Sequence, residues 1–137
     1  MTVADASVLV AHLHHQDRFH QQSTAWIAQH LLNGGEIVGP RLVLAEVAGA
    51  IARRTGDPAL GHAAVQQLLV IPRVRLVPVT DELADYAATL AAELRLKGAD
   101  AVYLAVAAEF GMPLVTWDQE QRTRGAQLVI TSTPNGP

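Results

Sequence analysis

The 137-residue chain contains no cysteine. That excludes disulfides, thiolate nucleophiles and Cys-ligated zinc. Aromatic residues make up only 4%, and charged residues 17%, while half of all residues are apolar. An apolar share of this size excludes intrinsic disorder. The chain also lacks an excess of positive charge: 10 Lys and Arg face 13 Asp and Glu, for a net charge of −3. A purely electrostatic nucleic-acid binder would carry the opposite balance. A local basic rim can still coexist with an acidic pocket. Long hydrophobic runs are missing as well. The stretch Ala6 to Ala11 is broken by Ser7 and ends at His12, and no basic segment precedes it. It is too short to span a bilayer and does not read as a secretory signal, so a cytoplasmic protein with no membrane contact is expected.

No internal repeat or linker divides the chain. One domain is expected over residues 1–131, with residues 132–137 as a flexible tail, because Thr131-Ser-Thr-Pro-Asn-Gly-Pro137 reads as frayed. The rest alternates short apolar strands with helical patterns. Strands are read at Thr2–Asp5, Ile37–Val38, Arg75–Val79, Pro113–Trp117 and Gln127–Ile130. Helices are read from about Ala6, over Ser23–Leu32, Leu42–Arg54, Pro58–Val70, from the Thr80 cap towards Gly98, and over Ala99–Phe110. Pro78 lacks a donor and should lie at a sheet edge or a strand end. Strands separated by helices imply parallel pairing through right-handed crossovers. The expected fold class is α/β, a three-layer α/β/α sandwich with four or five short parallel strands. Reactive groups in such sheets collect beyond the carboxyl ends of the strands.

Four of the acids have apolar neighbours: Asp5 in Val3–Val10, Glu46 in Leu42–Ile51, Asp100 in Gly98–Ala107, and Asp118 closing Pro113–Asp118. Burying an unpaired carboxylate costs several kcal/mol or forces protonation. No Lys or Arg stands in these apolar flanks. A first-turn position helps Asp100. Glu46, read as two turns into its helix, has no such help. In a parallel sheet all four can converge on the carboxyl edge. Two carboxylates about 4 Å apart repel by roughly 4 kcal/mol at an effective dielectric near 20, so such a cluster needs cations. All-oxygen ligation selects hard ions, Mg²⁺ or Mn²⁺, and such a site suits phosphodiester hydrolysis. Simpler roles exist for three of them: Asp5 and Asp118 as helix or turn caps, and Asp100 as a dipole-favoured acid. Glu46 is the hardest to explain structurally.

These stretches resemble the PIN-domain family, especially the VapC-type toxins of bacterial toxin–antitoxin pairs. The resemblance rests on Val3-Ala-Asp-Ala-Ser-Val-Leu-Val10, Pro40–Ala52 with Glu46, Leu96-Lys-Gly-Ala-Asp-Ala-Val-Tyr-Leu-Ala105 and Pro113-Leu-Val-Thr-Trp-Asp118. It implies a Mg²⁺- or Mn²⁺-dependent endoribonuclease whose metal and waters are held by Asp5, Glu46, Asp100 and Asp118. It assigns supporting hydroxyls to Ser7 and Thr116. It also implies a homodimer silenced by a cognate antitoxin, and products with a 5′-phosphate and a 3′-hydroxyl. Glu120 is read as an outer contributor. Arg122 and Arg124 are candidate contacts for RNA phosphates, ahead of Arg53, Arg54 and Lys97; a solvated basic face is the alternative for each.

Two other functions were compared. An aspartyl-phosphate phosphatase or phosphotransfer domain would place a second Asp two residues after Asp5, where Ser7 stands. A non-catalytic RNA- or partner-binding module on the same fold would keep the acids without cleaving. His12, His14, His15 and His20 read as a solvated helix end, since no ligand set completes them. Trp26 and Trp117 read as packing residues, Trp117 becoming a base-stacking candidate if exposed. The face along Val43, Val47, Ala50 and Ile51, with Leu83, Leu90 and Leu94, offers more apolar surface than one core requires and suggests a partner surface.

Overall fold

The computed structural model describes residues 1–136. Five strands form one all-parallel sheet: β1 (Thr2–Ala4), β2 (Ile37–Pro40), β3 (Val74–Val77), β4 (Leu114–Val115) and β5 (Thr131–Ser132). Their spatial order is β3-β2-β1-β4-β5. Seven helices connect and follow them: α1 (Ala6–Leu13), α2 (His20–Leu32), α3 (Val43–Thr55), α4 (Pro58–Leu69), α5 (Asp81–Leu94), α6 (Gly98–Glu109) and α7 (Gln119–Gly125). The fold is the expected α/β/α sandwich. The chain builds outward from β1 through β2 to β3, then returns to the other side of β1 for β4 and β5. The gap between the ends of β1 and β4 is therefore the point where strand order reverses, the usual place for a ligand crevice in an open α/β sheet.

The central strands are apolar at successive positions because helices cover the sheet. Val3, Ala4, Ile37, Val38, Leu114 and Val115 are all buried. Helix α6 runs across β1, β2 and β4 and buries Ala101, Tyr103, Leu104, Ala105, Val106 and Ala107. Its apolar character on nearly every face follows from lying between the sheet and α5. On the other side α1, α3 and α4 pack together, with α2 on α1. Val43, Val47, Ile51, Leu83 and Leu90 all enter this core. Most of the apolar face expected along α3 and α5 is thus buried within the chain, while Ala50 and Leu94 stay half-exposed.

Local signals set most boundaries. Asp57 accepts from the Ala59 amide at 2.9 Å and Pro58 opens α4. Thr80 caps α5 through the Leu83 amide at 3.1 Å. Pro78 lies just past β3, which is an edge strand, as its missing donor requires.

The C-terminal part differs from expectation. Residues 127–130 are not a strand: Leu128 and Ile130 are 46% and 79% exposed. Asp118 instead starts the short helix α7, which uses up the residues after β4. The chain regains the sheet only at Thr131–Ser132, in register with Leu114 and Val115. The boundary read at residue 131 therefore falls inside the last strand, and Thr133 and Gly136 form a further bridge. Pro137, the end of the expected tail, lies outside the described residues.

Helices α3 and α4 meet closely at Gly61. A Cβ there would stand 2.7 Å from the Ala48 carbonyl oxygen and 3.2 Å from the Ala52 Cβ. Backbone cannot yield as a side-chain end can. Gly61→Val is expected to destabilise the protein by about 1–3 kcal/mol through overpacking, measured as a lower urea midpoint with an unchanged slope.

Candidate active site

Asp5 is the first residue beyond β1 and the N-cap of α1. Its backbone amide donates to the Val115 carbonyl, which sets it beside the end of β4. Its side chain is inaccessible except for 4% of the residue surface. Oδ1 accepts from the Ser7 amide at 3.1 Å and the Ser7 hydroxyl at 2.6 Å. Oδ2 accepts from the Thr116 hydroxyl at 2.8 Å. The network continues across the gap between strands. Thr116 Oγ1 accepts from the Asp118 amide at 2.9 Å, and Ser7 Oγ accepts from the Trp117 amide at 3.0 Å. Two hydroxyls thus tie the loop after β1 to the loop after β4, and with them Asp5 to Asp118.

Asp118 caps α7, its Oδ1 accepting from the Gln121 amide at 2.9 Å. Gln121 is fully buried, and its Nε2 donates to the Asp100 carbonyl at 3.1 Å. It joins the helix that Asp118 starts to the helix that Asp100 opens. Asp100 sits in the first turn of α6, half-buried. Glu46 lies in the first turn of α3. This corrects the sequence reading, which placed it two turns in and denied it help from the helix dipole. Its Oε1 accepts from the Tyr103 hydroxyl at 2.5 Å. Tyr103 is buried on α6, three residues after Asp100 and so on the same helix face.

The four carboxylates feel one another. Burial pushes Asp5 up to about 7, against the lowering effect of the Ser7 and Thr116 hydroxyls and with a further push from Asp100. Burial, then the charge of Asp118, pushes Asp100 up to about 6; Lys97 opposes this, and Glu46 and Glu120 add to it. Burial and the bond to Glu46 raise Tyr103, so its hydroxyl remains a donor. The ion pairs among the described residues are Arg54–Asp17, Arg75–Glu36 and Arg124–Glu120. None of them neutralises Asp5, Glu46, Asp100 or Asp118.

A cation-free acidic group of this kind suits a hard divalent ion in its donor chemistry: every donor is a carboxylate oxygen, with no sulfur among them. No three His, Asp or Glu side chains among the described residues are gathered tightly enough to close around an ion by themselves. The histidines stand apart in local bonds, His12 Nδ1 with the Thr24 hydroxyl and His20 Nδ1 with the Ala11 carbonyl.

Two adjoining clefts open on the group. One, of about 490 Å³, is lined by Ser7, Glu46, Arg53 and Arg54 among others. Its neighbour, of about 310 Å³, shares Ser7 and Arg54 and adds Trp117 and Asp118. The basic residues on these walls are not the pair favoured from sequence. Arg124 is held by the Arg95 carbonyl and, at 2.6 Å, by Glu120 Oε1. Arg122 keeps Nη1 buried without a hydrogen-bond partner among the described residues. Arg53 and Arg54 line the cleft instead. Glu120 is paired with Arg124 and reaches Asp100 only through its field. Tyr103 and Gln121 escaped the sequence reading. Both left a signal: the three-residue offset of Tyr103 from Asp100, and the Asp-x-x-Gln spacing of a capping box at Asp118–Gln121.

Residues 2–126 match the PIN domain family, and the chain belongs to it. No curated protein matches the sequence. Among solved structures, VapC20 of Mycobacterium tuberculosis, a sarcin–ricin loop cleaving toxin, superposes with a TM-score of 0.78 at 22% identity, covering 91% of this chain and 95% of that one. VapBC2 of Rickettsia felis, bound to a DNA fragment from its promoter, gives 0.66 at 14% identity, covering 96% and 97%. A toxin–antitoxin complex from Klebsiella pneumoniae gives 0.64 at 19% identity, covering 98% of each chain. The fold is thus that of VapC-type toxins. No helix among the described residues is long and apolar enough to cross a membrane.

The raised acids make a signed prediction. Asp5 and Asp100 hold protons in the folded state up to about 7 and about 6, whereas both release them near 3.8 in the unfolded chain. The native state therefore binds more protons across this window, and without divalent ions stability falls as pH rises from about 4 to about 7. The fall should be on the order of a few kcal/mol, mostly from Asp5, since the more exposed Asp100 is screened by solvent. Urea unfolding in EDTA at pH 5 and pH 8 measures it. Asp5→Asn should flatten the slope, and Mg²⁺ should restore stability at pH 8 alone.

Proposed function

We propose that the chain is a Mg²⁺- or Mn²⁺-dependent endoribonuclease and the toxin of a toxin–antitoxin pair. The observation that carries this reading is the group Asp5, Glu46, Asp100 and Asp118. Asp5 and Asp100 are raised by burial and by neighbouring acids, none of the four is ion-paired among the described residues, and Asp5 and Asp118 flank the point where strand order reverses. The sarcin–ricin loop cleaving activity of VapC20 and the paired state of the Klebsiella complex support the substrate class and the antitoxin partner. A homodimer is part of the same proposal.

Asp5, Asp100 and Asp118 are the residues that would hold the ion. When bound, it lowers the pKa of a water and offsets charge on the phosphate and the leaving oxygen. Glu46 stands on the cleft wall with one oxygen bonded to Tyr103, which leaves the other to ligate or to orient the attacking water. Ser7 and Thr116 hold Asp5 in place through both of its oxygens. Gln121 keeps Asp100 and Asp118 in fixed relation. Arg53, on the wall of the larger cleft, is placed to meet a flanking phosphate, whereas Arg54 beside it is paired with Asp17.

The absence of a closed three-carboxylate cluster among the described residues favours the second reading, a module that binds RNA without cutting it. Cleavage of single-stranded RNA with increasing Mn²⁺, with EDTA as control, decides between them. Asp100→Asn and Glu46→Gln should each lower the rate by more than about 100-fold with folding intact. RNA binding without cleavage by the unmodified chain would leave only the module. Tyr103→Phe should act more mildly, raising the Mn²⁺ needed for half-maximal rate by about 10- to 100-fold, as loss of a group supporting a ligand does.

A further inference from the structure

Only six aromatic Phe, Trp and Tyr residues occur in the chain, and two of them line the cleft beside Asp118, Trp117 also packing against the core. Phe19 and Trp117 stack with ring centroids 3.9 Å apart and planes 8° from parallel. The Arg18 guanidinium carbon lies 4.5 Å above the Phe19 ring. All three line the 310 Å³ cleft, together with Ser7, Asp17, Arg54 and Asp118. Trp117 is the residue immediately before Asp118.

The stack is anchored by hydrogen bonds, and both rings are half-exposed, with Arg18 over Phe19. Trp117 Nε1 donates to the Ser23 hydroxyl at 2.8 Å, and Ser23 is fully buried. The Trp117 amide donates to Ser7, itself bonded to Asp5. The Phe19 amide donates to Asp17 Oδ1 at 2.8 Å, and Arg54 donates to Asp17 Oδ2 at 2.6 Å. Both rings are therefore fixed relative to the carboxylates. Arg18 by contrast is exposed, and no hydrogen bond or ion pair to another of the described residues ties its guanidinium. A planar cation on an aromatic face marks a surface that also accepts a flat, electron-poor or polarisable ring. The charge pattern fits a strand with phosphates: Arg18 stands on the wall as the cation without an ion pair, and the acid Asp17 is already neutralised by Arg54.

From this arrangement we infer that Phe19, backed by Trp117, is a platform for one nucleobase of a single-stranded RNA next to the scissile phosphate, with Arg18 moving from the ring to the strand. The inference rests on the nuclease reading and adds the subsite that seats the substrate. Stacking of this kind tolerates every base, because each has a π-face. It would place the strand by its bases, which the acidic centre cannot do through charge.

The test uses the full chain with Trp26→Phe, so that Trp117 is the sole fluorescent indole, and with Asp100→Asn to prevent cleavage. A hexaribonucleotide should quench Trp117 emission saturably. An abasic hexamer with the same number of phosphates should bind about tenfold more weakly and leave the emission unchanged. Phe19→Ala should weaken hexamer binding by about tenfold. Phe19→Leu, which keeps an apolar side chain, should unfold at the same urea concentration as its parent yet bind as weakly as Phe19→Ala. Equal binding of the two hexamers, binding unaffected by Phe19→Leu, or no binding of either hexamer overturns the platform. Mn²⁺-dependent cleavage by the Trp26→Phe chain is measured beside it. Cleavage without base-dependent binding removes the platform alone, whereas loss of both removes the nuclease reading as well.

Discussion

Everything at the candidate site depends on how one buried carboxylate is held. Asp5 lies under the sheet edge with almost no access to water. Its two oxygens are occupied by hydroxyls from opposite sides of the strand reversal, Ser7 from the first turn of α1 and Thr116 from just past β4. A buried carboxylate without such donors would cost several kcal/mol or take up a proton. The hydroxyls lower that cost without supplying a positive charge. They leave Asp5 hydrogen-bonded, and they leave its charge uncompensated. They also stitch together two loops that are more than a hundred residues apart in sequence, so Asp118 and Trp117 are positioned by the same bonds that hold Asp5.

Around this point the molecule concentrates negative charge that it does not neutralise. Arg54, Arg75 and Arg124 have acidic partners, yet those partners are Asp17, Glu36 and Glu120. Asp100 is raised by burial and by Asp118, with Lys97 giving only partial relief. A fold optimised for stability alone would pair these groups or replace them with apolar side chains. Retaining them is the kind of local strain that functional sites carry and that the rest of the core offsets.

Much of this architecture was legible in the chain. The apolar strands, the Asp57-Pro58 and Thr80 helix starts and the edge position of Pro78 all rest on local chemistry, which acts the same way in any fold. The four acids stood out because their neighbours are apolar. What misled was apolar content without context. Leu128 to Ile130 resembles a strand, yet α7 intervenes and leaves Leu128 and Ile130 facing solvent. Most of the surface expected on α3 and α5 turned inward, with Ala50 and Leu94 left half-exposed, for the same reason: burial is decided by what packs opposite, not by the residue.

Side-chain type and order along the polymer determined the class of fold, the helix caps and the identity of the acids, since backbone propensity, capping and the cost of burying charge act at short range. Only the tertiary structure decided which partners each group finds. It gave Glu46 a bond to Tyr103, spent Arg124 on Glu120, buried part of Arg122, and set Arg53 and Arg54 on the cleft. It also stacked Phe19 on Trp117, 98 positions further along the sequence. Contacts of that range depend on how strands and helices are ordered in space, and no local pattern in the chain encodes that order.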